Sequence, residues 1–227
     1  MGHLLNDISE LISGRLVEGY TLNMGVDRGL SVTYYGERLV ETPFVFRHIR
    51  DPPKSIIDIG CSESITPIQL AMLGYKVTGV DMREYKYKHE NFKFIKSDFL
   101  DFNFKNNFDV ALAISSIEHF GLTTYKNKAL DLNADKKAID KIYSILKPKG
   151  QFIFTAPFGI KRTIKNYERI YDSNDIKIML NKFKIQNILF YKVVKHKLVE
   201  EITRAESEKI NYKYDNYSVV LINAIKK

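Results

Sequence analysis

Strands alternating with helices through most of the chain predict an α/β protein built on a doubly wound, mainly parallel seven-stranded sheet. Three observations carry that reading. Short β-branched runs recur from residue 54 onward, beginning with "SIIDI" at Ser55–Ile59. The segments between them have helical spacing and Pro/Gly punctuation. The first strand runs into a turn at Gly60, and the next strand ends on an acid, Asp81.

The elements follow in order. Apolar positions Leu4, Leu5, Ile8, Leu11, Ile12 and Leu16 predict a helix over 4–17. A glycine-containing stretch, 19–36, precedes a second helix over Glu37–Ile49, with a start or kink at Pro43 and a stop at Asp51-Pro52-Pro53. "SIIDI" is a short apolar run of the kind buried on both faces. "ITPIQLAMLGY" is a helix with Pro67 in its first turn and Gly74 as its stop. "KVTGVD", "FKFIKSD" and "FDVALAISS" are the next three strands. "NADKKAIDKIYSILKPKG" is a helix placing Ile139, Ile142, Ile145 and Leu146 on one face, ended by Pro148 and Gly150. "QFIFTAPF" is a fifth strand, and "DSNDIKIMLNKF" a helix with a capping start. "KIQNILFYKVV" and "NYSVVLINAI" close the chain as strands, expected as an antiparallel hairpin at one edge. The charged segment 195–211 reads as an excursion between them.

Composition narrows the class. The chain has 227 residues and an apolar fraction of 44%, enough for one sizeable core. Its one cysteine, Cys61, forms no internal disulfide and builds neither a thiolate metal site nor an iron–sulfur cluster. With no apolar run of membrane-spanning length and no signal-peptide core, the expectation is a soluble cytoplasmic protein without a membrane partner. The net charge of +8 is spread over scattered lysines rather than blocks. A nucleic-acid partner is therefore open but not favoured.

The turn after "SIIDI" reads Gly60-Cys61-Ser62-Glu63-Ser64. A dinucleotide site uses further glycines so that backbone can approach a pyrophosphate. Here serines occupy that region, while the acid suited to a ribose diol, Asp81, is present. Such a loop serves a nucleoside cofactor that lacks phosphates, and S-adenosylmethionine (SAM) is one. Gly60 lets the chain pass close to the cofactor, and Asp58 is placed to meet its ammonium.

The combination "DIGCSES", "VTGVD", "FIKSDFLD", "FDVALAISSIEH" and "LKPKGQFIFTAPFG" resembles the class I SAM-dependent methyltransferase family over about residues 54–158. The upstream "GERLVETPFVFRHI" more loosely resembles a helix of methyltransferases in polysaccharide or small-molecule biosynthesis. The family usually carries a fuller Gly-x-Gly-x-Gly, from which this chain departs. The resemblance implies a Rossmann-like methyltransferase fold, with a SAM-binding domain over 54–227, an antiparallel C-terminal strand and an N-terminal helical cap over 1–53. It also implies SAM as cofactor, held by Asp58, Gly60, Ser62, Asp81, Met82, Asp98, Phe99 and Ser115. Asp98 would meet the adenine amino group and Phe99 its ring.

"SSIEHF" ends the fourth strand, where such transferases place the acceptor. His119 is the candidate base, since imidazole titrates near neutral pH; it also reads as a hydrogen-bonded helix-start histidine. Glu118 is the candidate for orienting the acceptor or pairing with a basic group. Tyr34, Tyr35, Arg38, Tyr125, Lys126, Arg162 and Arg169 are weaker contact candidates. His3, His48, His89 and His196 are assigned no ligand role, and no catalytic metal is expected. The expected reaction is methyl transfer to an oxygen, less readily a nitrogen, of a small-molecule or sugar-type acceptor. An RNA or protein methyltransferase, a nicotinamide-dependent oxidoreductase and a non-catalytic binding protein are the rivals.

Overall fold

The computed structural model describes residues 17–18, 21–23, 31–33, 36–49, 52, 54–105, 107–123, 130–165 and 167–227. The strands are β1 (Val17–Glu18), β2 (Thr21–Asn23), β3 (Ser31–Thr33), β4 (Ser55–Ile59), β5 (Lys76–Asp81), β6 (Phe92–Lys96) and β7 (Phe108–Ile114). They continue as β8 (Leu146–Phe158), β9 (Arg162–Ile164), β10 (Glu168–Ile170), β11 (Phe183–Val194), β12 (Leu198–Ile202) and β13 (Asn216–Lys226). The helices are α1 (Arg38–His48), α2 (Thr66–Met72), α3 (Ala134–Ile145), α4 (Ser173–Met179) and α5 (Arg204–Ser207), with a 3-10 turn at Ile117–His119.

The main sheet runs β1-β12-β11-β13-β8-β7-β4-β5-β6. From β8 to β6 every pairing is parallel, and from β8 outward to β1 every pairing is antiparallel. All seven expected strands are present, and β12 and β1 extend the sheet to nine. The final two strands pair antiparallel, as the sequence suggests, but not at the edge, since β12 and β1 lie outside β11. β13 inserts between β8 and β11, and the charged excursion supplies β12 and the short α5. An apolar run such as "SVVLINA" needs cover on both faces, and an inner position provides it: Tyr217 through Ala224 are buried.

Helix boundaries follow local chemistry. Pro67 sits at the start of α2, and Gly74 ends that turn at φ +92°, a conformation open to glycine. α4 starts on a capping box, in which the Asp172 side chain accepts from the Asp175 backbone N–H and the reverse bond also forms. α3 buries Ala138, Ile139, Ile142 and Ile145. Leu146, expected on that helical face, instead opens β8 and pairs with Phe108. Pro148 cannot continue a helix, so the chain extends before it. The expected helix over 4–17 lies outside the described residues up to position 16, and Val17 is in β1.

The sheet separates two apolar layers, as alternation within a strand requires. Ile57 and Ile59 join the layer containing Ile139, Ile142, Ile176 and Met179; Ile56 joins the one containing Phe44, Val45, Leu70 and Ala71. Burying one such side chain contributes roughly 1.5–3 kcal/mol.

One polar interaction fastens α1 to the sheet. Glu41 is fully buried and accepts from Ser115 Oγ and Thr155 Oγ1, each at 2.5 Å, and from Arg38 at 2.6 Å. Burial of a carboxylate is tolerated when each oxygen is satisfied in this way. Glu41→Ala leaves Arg38 and two hydroxyls without their acceptor. It is expected to cost about 3 kcal/mol, read as a lower urea midpoint with an unchanged slope.

Candidate active site

A cavity of about 1210 Å³ opens at the carboxyl ends of β4, β5 and β7. Strand order reverses between β4 and β7, which is where open α/β sheets bind ligands. Gly60, directly after β4, has φ +77°, and a Cβ there would lie 2.6 Å from Ser116 Cβ. Any larger residue would drive the loop away from the turn after β7. The reduced glycine content of the loop has a counterpart one strand away. Cys61 is buried, and a Cβ on Gly79 of β5 would lie 2.7 Å from its sulfur. The glycine that admits this loop therefore sits in β5. Burial pushes the Cys61 thiol well up, so it is a packing group and not a nucleophile.

Of the residues singled out in the sequence, Asp58, Gly60, Asp81, Met82, Asp98, Phe99, Ser115, Glu118 and His119 all line this cavity. Ser62 does not; its backbone N–H donates to Asp81 Oδ2 at 2.9 Å and holds that acid in place. Arg83 grips Asp81 more fully, through its backbone N–H at 2.9 Å and its guanidinium at 3.1 and 3.2 Å. Burial pushes the Asp81 carboxyl up, but these hydrogen bonds outweigh it and leave it below the usual carboxylate range. Asp98 Oδ1 accepts from the Leu100 N–H at 2.8 Å and so shapes its own turn. Phe99 is buried and packs against Phe104 and Phe120.

Asp58 differs from Asp81. It is 3% exposed, and its Oδ2 has no hydrogen-bond partner among the described residues. Burial, reinforced by Asp81, raises its carboxyl to about 7, against the pull of Arg38. Glu118 is 1% exposed, and its Oε2 also has no partner. Burial, with Glu168 and Glu41 nearby, pushes it well above the usual range. Two buried carboxyls with open oxygens therefore face one cavity.

His119 sits on the 3-10 turn, with Nδ1 2.7 Å from the Tyr167 carbonyl. A carbonyl only accepts, so Nδ1 carries the proton and the neutral ring keeps its lone pair on Nε2. That nitrogen lies 3.9 Å from Glu118 Oε1. Burial pulls His119 below the ordinary imidazole value and keeps it neutral near pH 7. Ser115 holds φ at 41°, an uncommon conformation for a side-chain-bearing residue and worth about 1–3 kcal/mol of strain. Its N–H donates to Thr155 Oγ1 at 2.9 Å, and its hydroxyl is committed to Glu41, which offsets that strain.

The weaker candidates separate. Arg162 and Arg38 line the cavity. Arg169 is buried, donates to the carbonyls of Glu118, Phe120 and Asp131, and pairs with Asp135 at 3.5 Å. Its contribution is to clamp the turn that carries Glu118 and His119. Tyr34, Tyr35, Tyr125 and Lys126 lie outside the described residues. The sequence reading missed Glu37, Arg83, Glu168, His196, Tyr212, Tyr214 and Tyr217, all of which line the cavity. No group of three or more metal-ligating side chains occurs among the described residues, and no described helix is long and apolar enough to cross a membrane.

Comparison with known proteins places this geometry. Over 124 residues the chain is 27% identical to the ubiquinone biosynthesis O-methyltransferase of Stutzerimonas stutzeri, covering 55% of this chain and 52% of that enzyme. The chain thus matches about half the length of that relative. The crystal structure of Burkholderia thailandensis 1,6-didemethyltoxoflavin-N1-methyltransferase, bound to 1,6-didemethyltoxoflavin and S-adenosylhomocysteine, superposes with a TM-score of 0.60. It does so at 15% identity, over 82% of this chain and 76% of that one. The N-methyltransferase NodS of Bradyrhizobium japonicum, in complex with S-adenosylhomocysteine, superposes at 0.57, with 14% identity over 84% and 87%. Residues 71–224 match the family profile described as "Caenorhabditis protein of unknown function, DUF268". The chain belongs to the DUF268 family and has the class I SAM-dependent methyltransferase fold.

Proposed function

We propose that this chain is a SAM-dependent methyltransferase that methylates an oxygen, in preference to a nitrogen, of a small-molecule or sugar-type acceptor. The observation that carries the reading is the buried, unpartnered carboxyl oxygen of Asp58 beside Gly60 at the switch point. An open buried carboxylate oxygen calls for a cation or a donor, and the cofactor's ammonium is one. The residues fit the rest of that molecule too. Asp81 offers two oxygens to a ribose diol once Arg83 yields them. Asp98 and Phe99 border the place for a base. The O-methyltransferase relative supports the choice of oxygen.

SAM, when bound, supplies a methyl group on an already activated sulfonium. The chain then has to hold the acceptor, exclude water and take up the hydroxyl proton. Nε2 of His119 is the acceptor for that proton, with the tautomer fixed by Tyr167. Glu118 stands next to it to orient the acceptor. Nine acidic and five cationic side chains line the cavity among the described residues, a lining that weighs against a polyanion such as RNA.

Two measurements test this reading. Affinity for S-adenosylhomocysteine, followed by calorimetry, is expected to fall as pH drops below 7. Protonating Asp58 removes the charge that meets the ammonium, and the limit is about tenfold per pH unit. Asp58→Asn is expected to flatten that dependence, and a flat wild-type profile would remove Asp58 from the cofactor site. His119→Ala is expected to lower turnover about 100-fold, with cofactor affinity within about twofold. Wild-type kcat should show an acid limb below the ordinary imidazole range, where the buried ring charges. Unaltered turnover in the variant takes His119 out of the mechanism.

A further inference from the structure

The cavity extends beyond the residues assigned to the cofactor, into a compartment walled by Glu37, Glu118, Glu168, Tyr212, Tyr217 and Tyr167. Its carboxylates are held by neutral donors. The Tyr217 hydroxyl donates to Glu37 Oε2, and the Tyr212 hydroxyl bonds Glu168. Glu118 Oε2 is buried with no partner. Of the cations lining the cavity, Arg38 is paired with Glu41 at 2.6 Å and Arg162 donates to the Tyr212 carbonyl. Burial, with Glu37 nearby, pushes the Glu168 carboxyl up, as it does Glu118. Glu118 and Glu168 are thus buried together, with half-buried Glu37 beside them.

The aromatic walls favour the same kind of guest. The Tyr212 and Tyr217 rings lie 5.3 Å apart at an interplanar angle of 34°. Their faces carry negative quadrupole charge, which attracts cations. Rings beside carboxylates also suit a hydroxylated carbon skeleton, which stacks on one and donates to the other. A guest without a hydrogen-bond donor would leave the Glu118 oxygen unsatisfied in a dry site, and an anionic one would also be repelled.

We propose that the acceptor is a hydroxylated amine, an amino polyol or amino sugar, whose ammonium is anchored by Glu118 and Glu168 beneath the Tyr212–Tyr217 wall. This rests on the methyltransferase reading and names the acceptor class for that same cavity. The ammonium completes the charge balance of the compartment and fixes which end of the acceptor points inward.

The test has two stages. Calorimetry of the full chain with S-adenosylhomocysteine comes first, and absence of binding there sinks the methyltransferase reading itself. The saturated complex is then titrated with matched pairs, D-glucosamine against D-glucose and ethanolamine against ethylene glycol. The ammonium member of a pair is expected to bind at least about tenfold tighter. Glu168→Gln should abolish that preference while S-adenosylhomocysteine affinity stays within about twofold. If Glu168→Gln does not fold, Glu118→Gln, at the other anchor, takes its place. Equal binding within both pairs, no response to any ammonium probe, or an undiminished preference in the variant overturns the proposal.

Discussion

The functional cavity depends on one close approach of backbone to side chain. At Gly60 the chain leaving β4 turns against Ser116, with no Cβ to hold the two apart. That contact brings the turn after β7, and with it Ser115, Glu118 and His119, beside the turn after β4. A parallel sheet leaves a crevice at its switch point for topological reasons. What makes this crevice chemically specific is that the two loops share it at van der Waals distance. Around the contact the structure spends polar interactions on rigidity. Glu41 ties Ser115 and Thr155 to α1, and Arg169 holds the carbonyls of the turn carrying Glu118. Groups fastened in this way present their neighbours in a fixed geometry, which matters more to a transferase than intrinsic reactivity.

The electrostatics of the cavity run opposite to those of the molecule. The chain carries a formal charge of +8, yet acids outnumber lysines and arginines in the lining of the cavity. Where acids meet arginines, as at Asp81 with Arg83, the carboxyl is held low. Where burial and neighbouring acids outweigh the pull of Arg38, as at Asp58 and Glu118, it is pushed up. The first kind is satisfied within the protein. The second is satisfied only by something that enters, and a cationic guest is what both open carboxyls favour.

Much of this fold could be read from the sequence, because strands buried on both faces betray themselves as apolar runs and helices by proline and glycine at their ends. "SIIDI", "KVTGVD" and "FDVALAI" became β4, β5 and β7 for that reason. Asp58 and Asp81 lie at or beside strand ends, where topology fixes their direction, and both line the cavity. Lateral order was less legible. That β13 lies inside β11 depends on pairing across the whole C-terminal region, and nothing local to "NYSVVLINAI" encodes it. Leu146 looked helical because its spacing from Ile142 matched, while the proline two residues on decided for a strand. Glu168, Tyr212 and Tyr217 were illegible as site residues. Glu168 comes from a hairpin distant in sequence from the loop and strand that carry Tyr212 and Tyr217, and only the tertiary fold collects them. Ser62 is next to the site rather than on its lining, with its N–H on Asp81.

Whether Asp81 serves a ribose turns on Arg83, which now occupies both carboxylate oxygens. A crystal structure of the chain with S-adenosylhomocysteine measures this directly. The account predicts ribose hydroxyls within hydrogen-bond distance of Asp81, the Arg83 guanidinium displaced, and the ligand ammonium on Asp58. An adenosyl group lodged elsewhere, with Arg83 still on Asp81 and Asp58 still without a partner, would contradict it.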